Sequence, residues 1–103
     1  MEQKDRDQKI QEMQTAEQNL QNILYQKQAF QMEISETKEA ISEMETSEEV
    51  FKIVGQLMMK TDKEKAKEEL LNKEKVLNTR INSLEEQEKG ISERLEELRE
   101  EVS

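Results

Sequence analysis

Apolar residues recur along the first half of the chain at alternating steps of three and four. With heptad position a at 13, 20, 27, 34 and 41, the a residues are Met13, Leu20, Lys27, Ile34 and Ile41. The d residues are Ala16, Ile23, Phe30, Thr37 and Met44. Only Lys27 and Thr37 interrupt this stripe, and the helix formers Gln, Glu and Lys fill most positions between. The second half repeats the pattern. Its d positions are Leu70, Leu77, Leu84, Ile91 and Leu98, and its a positions are Glu74, Ile81, Glu88, Leu95 and Val102. Sustained a/d stripes of this kind predict two long coiled-coil helices, over residues 8–45 and 62–102. Gly90 falls at an exposed c position, where it weakens the second helix by about 1 kcal/mol without ending it.

Neither helix can bury its stripe alone, and the two stripes have nearly equal length. An antiparallel pairing follows. Folding about Gly55 gives layers such as Met13–Leu98, Ala16–Leu95, Lys27–Leu84 and Ile34–Leu77, each with residue numbers adding to 111. A register shifted by one heptad, about residue 59, competes with it. The polar seam residues Lys27, Glu74 and Glu88 read as solvated flanks or register pins.

Between the stripes the period changes. Val50 to Val54 is rich in β-branched and aromatic residues, as strands are. Gly55-Gln56 supplies a two-residue loop with Gly first, the type II′ preference, and Leu57 to Lys60 is the return strand. Thr61 to Glu64 reads Thr-x-x-Glu, a capping box that starts the second helix. In this β-hairpin (residues 50–60), Val54 pairs with Leu57, Ile53 with Met58, Lys52 with Met59 and Phe51 with Lys60. One face carries Phe51, Ile53 and Met58; the other carries Val50, Val54, Leu57 and Met59. A two-stranded hairpin is marginal in water. One with two apolar faces and open edges seeks further strands. The blander alternative is a cap on the end of the coiled coil, which leaves one face and both edges bare.

Composition sharpens the picture. The 103 residues carry a net charge of -9, and 40% are charged against 32% hydrophobic, too polar for a compact core. The acidic balance repels phosphate backbones, so no nucleic-acid partner is expected. No apolar run approaches the roughly 20 residues that span a bilayer, so no membrane association is expected. There is no His and no Cys, hence no thiol chemistry and no zinc-type ligand set; we expect no metal and no cofactor. The lack of Cys fits a reducing compartment, and the chain is expected to be cytoplasmic. With no His base, Cys nucleophile, phosphate-cradling loop or enclosed pocket, no catalytic residue is expected and the chain is not read as an enzyme. The cluster Lys60, Lys63, Lys65 and Lys67 is interleaved with acids and reads as surface.

Helix, Val-Phe-Lys-Ile-Val-Gly-Gln-Leu-Met-Met-Lys hairpin and helix together resemble the beta-type subunit of prefoldin, the resemblance being most specific over residues 50–60. The polar start, Met1 to Lys9, departs from an apolar client-gripping end. The resemblance implies one prefoldin-like domain over residues 1–103, mainly α, as a long antiparallel coiled-coil hairpin with the β-hairpin at its connection. It implies a hetero-hexamer of two alpha-type and four beta-type subunits, whose hairpins join into a β-barrel. The assembly residues are then Val50, Phe51, Ile53, Val54, Gly55, Leu57, Met58 and Met59. It also implies an ATP-independent holdase that captures unfolded client proteins at the coiled-coil tips and delivers them to a group II chaperonin. The residues placed at those tips are Ile10, Met13 and Ala16 on one helix and Leu95, Leu98 and Val102 on the other. Ile10, off the main seam, is the one expected to be free for contact; Arg99, Glu100 and Glu101 are candidates for docking to the chaperonin, with solvated surface the favoured reading. The alternative is a structural coiled-coil tether or scaffold, which explains the stripes and the acidity but not the apolar hairpin.

Overall fold

The computed structural model describes residues 1–103, in four elements: α1 (Gln3–Thr46), β1 (Val50–Val54), β2 (Leu57–Thr61) and α2 (Lys63–Val102). They form two contact units. A terminal unit joins residues 1–29 to 81–103, and a hairpin unit comprises residues 30–80.

α1 begins at Gln3, ahead of the residue 8 at which the apolar stripe suggested a start. Residues 3–9 lack apolar seam residues, but five of the seven are the helix formers Gln, Lys and Arg. The Gln3 amide donates to Asp7 one turn on, at 2.9 Å, and Asp5 lies in the first turn, where negative charge suits the helix dipole. At the other end, α1 has no basic residue in its last turn. That role is taken from across the connection: Lys63 Nζ donates to the carbonyls of Ser47 at 3.0 Å and Glu45 at 3.5 Å. Lys67, one turn further along α2, pairs with the Glu45 side chain.

The strands pair in the expected register, Phe51 with Lys60, Lys52 with Met59, Ile53 with Met58 and Val54 with Leu57. Gly55 has φ +63°, and no other residue has a positive φ. A positive φ at the first loop residue alone is the type II′ geometry. The pairing extends to Val50 with Thr61, so Thr61 belongs to the sheet and does not cap α2 as expected. The cap is Asp62. Its carbonyl accepts from the Ala66 N–H at 2.9 Å, and its Oδ1 accepts from the Glu64 N–H at 3.3 Å.

Each unit has its own stretch of seam. In the terminal unit Ala16, Ile23, Ile81, Leu84, Leu95 and Leu98 are buried, while Met13, Leu20, Lys27, Glu88, Ile91 and Val102 are half-buried. In the hairpin unit Ile34, Thr37, Ala66 and Leu77 are buried, with Phe30, Ile41, Met44, Leu70 and Glu74 half-buried. Every a and d position of both stripes therefore faces inward. α2 passes through Gly90 unbroken.

The polar seam residues find partners. In the terminal unit, Lys27 Nζ donates to Glu88 at 3.5 Å and stands 3.9 Å from Glu85. In the hairpin unit, Glu74 pairs with Lys38 at 3.8 Å, and the Thr37 hydroxyl donates to the Glu33 carbonyl at 2.7 Å. The Arg80 guanidinium lies 5.8 Å from the Phe30 ring centre. No buried side-chain polar atom lacks a partner. Across the two helices, the residue numbers of every side-chain ion pair add to between 106 and 116. These bracket the 111 of folding about Gly55 and fall short of the 118 of the shifted register.

Candidate assembly and client-binding sites

From Phe51 to Lys60 every hairpin residue is exposed. Ile53 is 71% and Met58 69% accessible, and Phe51, Val54, Leu57 and Met59 are open by half or more. Apolar side chains thus reach water from both faces of a sheet with only two strands. The backbone is equally unfinished. A two-residue loop makes Val54 and Leu57 a hydrogen-bonded pair, and pairs alternate along an antiparallel ladder. The N–H and C=O groups of Phe51 and Ile53 on one edge, and of Met58 and Lys60 on the other, therefore point outward. These four residues also share one face, so an added strand would meet apolar side chains and free backbone groups together.

Both hairpin lysines are tied to acids of the same chain, Lys52 to Glu69 at 3.6 Å and Lys60 to Glu49 at 3.5 Å. Where the strands join the helices, a largely apolar cleft of about 300 Å³ is lined by Ala40, Met44, Val50, Phe51, Ala66 and Leu70 together with Lys52, Thr61 and Glu69. The cleft lies entirely within the hairpin unit.

The residues expected to grip clients lie in the terminal unit, and most are covered. Leu98 is fully buried, Leu95 and Ala16 are buried, and Met13 and Val102 are half-buried. Ile10, expected to be free, is half-buried as well. It occupies the e position beside the seam, which the opposing helix partly covers. Large apolar side chains that are exposed on the helices lie elsewhere, at Leu24, Tyr25, Met32, Leu71 and Val76. None falls at an a or d position, so the heptad reading passed over them.

Charged side chains surround the terminal seam. Arg94 donates from Nε to Glu12 Oε1 at 2.9 Å, from Nη2 to Glu12 Oε2 at 3.3 Å, and from Nη1 to Glu97 at 3.2 Å. The hydrogen bond from Arg94, with its charge behind it, holds the Glu12 carboxyl below its ordinary value. Lys9 pairs with Glu101 at 3.0 Å, Arg99 with Glu17 at 3.7 Å, and Arg6 donates to the Val102 carbonyl at 3.3 Å. In the hairpin unit, the hydrogen bond from Lys67 likewise lowers the Glu45 carboxyl and raises the Lys67 ammonium. No group of three or more acids stands close enough to hold a metal ion, and no helix is long and apolar enough to cross a membrane.

Known proteins match this arrangement. A family model described as "Prefoldin subunit" matches residues 7–103. Prefoldin subunit beta of Thermococcus onnurineus is 46% identical over 89 residues, covering 84% of this chain and 77% of that one. Prefoldin subunit beta of Pyrobaculum aerophilum is 34% identical over 91 residues, 85% of this chain and 72% of its own length. The crystal structure of the prefoldin beta subunit from Thermococcus strain KS-1 superposes with a TM-score of 0.88 at 38% identity, covering 95% of this chain and 89% of that one. Prefoldin subunits are chaperone components and not known as enzymes. This chain belongs to the prefoldin subunit family, whose beta-type members it resembles in both sequence and fold.

Proposed function

We propose that the chain acts, as a single domain over residues 1–103, as one of four beta-type subunits in a hexamer with two alpha-type subunits. This complex is a cytoplasmic holdase that captures unfolded proteins without ATP and passes them to a group II chaperonin. The hairpin carries this reading: two apolar faces and two open edges on a two-stranded sheet call for further strands. Hairpins from neighbouring subunits supply them, closing into a barrel that covers Phe51, Ile53, Val54, Leu57, Met58 and Met59. A tether needs no such element.

Capture falls to the terminal unit. A client offers apolar segments, and Ile10, Met13, Ala16, Leu95, Leu98 and Val102 supply apolar side chains of matching character. Because most of them pack on each other, gripping requires the helix ends to part, which fraying at termini permits. Each grip is then weak, and several subunits together hold by avidity, which allows release without nucleotide hydrolysis. The net charge of -9 keeps neighbouring coiled coils apart and soluble.

The test is to co-express the chain with an alpha-type subunit, measure the native mass, and assay suppression of client aggregation. Four copies with two of the partner, and suppression without ATP, are expected. A dimer of this chain that ignores the partner overturns the assembly; a hexamer that suppresses nothing overturns the holdase.

A further inference from the structure

Arg94 stands out among the side chains that join α1 to α2. Two of its three guanidinium nitrogens meet both oxygens of Glu12, at 2.9 and 3.3 Å, while the third donates to Glu97 and stands 3.9 Å from Glu101. Glu101 is itself held by Lys9 of α1 at 3.0 Å. A planar guanidinium fits a carboxylate in this two-point way, and an ammonium does not. The other cross-helix ion pairs meet at single points, at Lys27, Lys38, Lys73 and Arg99 among others. Ala16, Leu95 and Leu98 are buried in the same unit.

Charge balance gives this contact its leverage. Residues 1–17 and 93–103 carry ten acids against five lysines and arginines. Without Arg94, the Glu12 carboxylate of α1 faces Glu97 and Glu101 of α2 with only Lys9 nearby, so attraction between the ends turns to repulsion. Arg94, Glu12, Glu97 and Glu101 are all exposed, so the contact is individually weak. Weakness suits a gate, which has to open often.

We infer that Arg94 is a latch on the terminal seam: its contact with Glu12 keeps the helix ends closed over Leu95 and Leu98, and its release makes those side chains available. The part this plays in capture rests on the reading that clients grip the terminal unit. The latch itself does not.

The test uses the assembled complex with the alpha-type partner, carrying Arg94→Gln, Arg94→Lys or, as control, Lys73→Gln. Amide hydrogen exchange over residues 10–17 and 91–98 reads the opening. Exchange is expected to be about twofold to fivefold faster in Arg94→Gln, intermediate in Arg94→Lys and unchanged in Lys73→Gln, with residues 30–80 protected as before. High salt should shrink the Gln effect by screening the exposed carboxylates. Unchanged exchange in Arg94→Gln overturns the latch. Faster exchange with stronger suppression of client aggregation supports both latch and grip. Faster exchange with unaltered suppression leaves the latch standing and overturns the terminal grip.

Discussion

Replacing Ile53 and Met58 together by Ser separates assembly from folding. The two residues pair across the strands, and each leaves about seven-tenths of its surface open in the single chain. Full burial of such a side chain stabilises by about 1.5–3 kcal/mol. The exposed share leaves roughly 1–2 kcal/mol per residue to be gained only on association. For the pair that is about 2–4 kcal/mol per subunit, or an association weakened on the order of 30-fold to 1,000-fold. The single chain should scarcely notice, because exposed positions change stability by within about 0.5 kcal/mol. Sedimentation of the double variant at micromolar concentration with the alpha-type partner measures the first quantity, and thermal melting of the chain alone measures the second. A hexamer as tight as that of the unaltered chain would refute the reasoning. So would a large fall in the single-chain melting temperature, which would mean that these residues hold the fold itself.

Other substitutions test the remaining features. Leu77→Ala, at a site 3% exposed, should cost about 2–5 kcal/mol by denaturant unfolding, whereas Leu71→Ala, at 47%, should cost far less. The two glycines should respond with opposite signs. Gly90→Ala meets no neighbouring atom in mid-helix and should stabilise by about 0.5–1 kcal/mol, while Gly55→Ala forces a side chain onto a positive φ and should destabilise by about 1–2 kcal/mol. The lowered Glu12 carboxyl has a pH signature. Since the folded value lies below the ordinary one near 4.5, its contribution is complete above that value and fades as pH falls through the folded one. The melting difference between Glu12→Gln and the unaltered chain should therefore be largest near neutrality and vanish in acid; a difference that persists would place the effect elsewhere than in the charge.

The seam was legible from the sequence because burial in a helix pair repeats faithfully: even Lys27, Thr37, Glu74 and Glu88, polar as they are, lie inward at the positions the period assigned. Their partners were less so. The heptad gives a face, but only the fold point decides that Lys27 meets Glu88 and Glu85. The start of α2 misled because Thr61 and Asp62 are both good caps. What decides is the strand ladder, which claims Thr61 through its pairing with Val50. The early start of α1 was hidden for a different reason, since a helix without an apolar stripe leaves no periodic trace. The latch was equally invisible: Arg94 is one of sixteen cations until the fold sets it opposite Glu12. The hairpin was the easiest feature to read, because its glycine turn fixes the register and its composition contrasts with everything around it.

The single turn at Gly55 makes helix length a shared property of two distant stretches of sequence. A deletion of one heptad in α1 next to the hairpin would slide every layer farther from the turn against the wrong partner, placing Lys27 away from Glu88. The same deletion matched in α2, an equal number of residues from the turn, would remove whole layers and leave the others intact. Lineages of this architecture can therefore change their reach freely by growth or loss at the two termini. Within the helices they can do so only by paired events, so insertions and deletions should occur as mirror images about the hairpin.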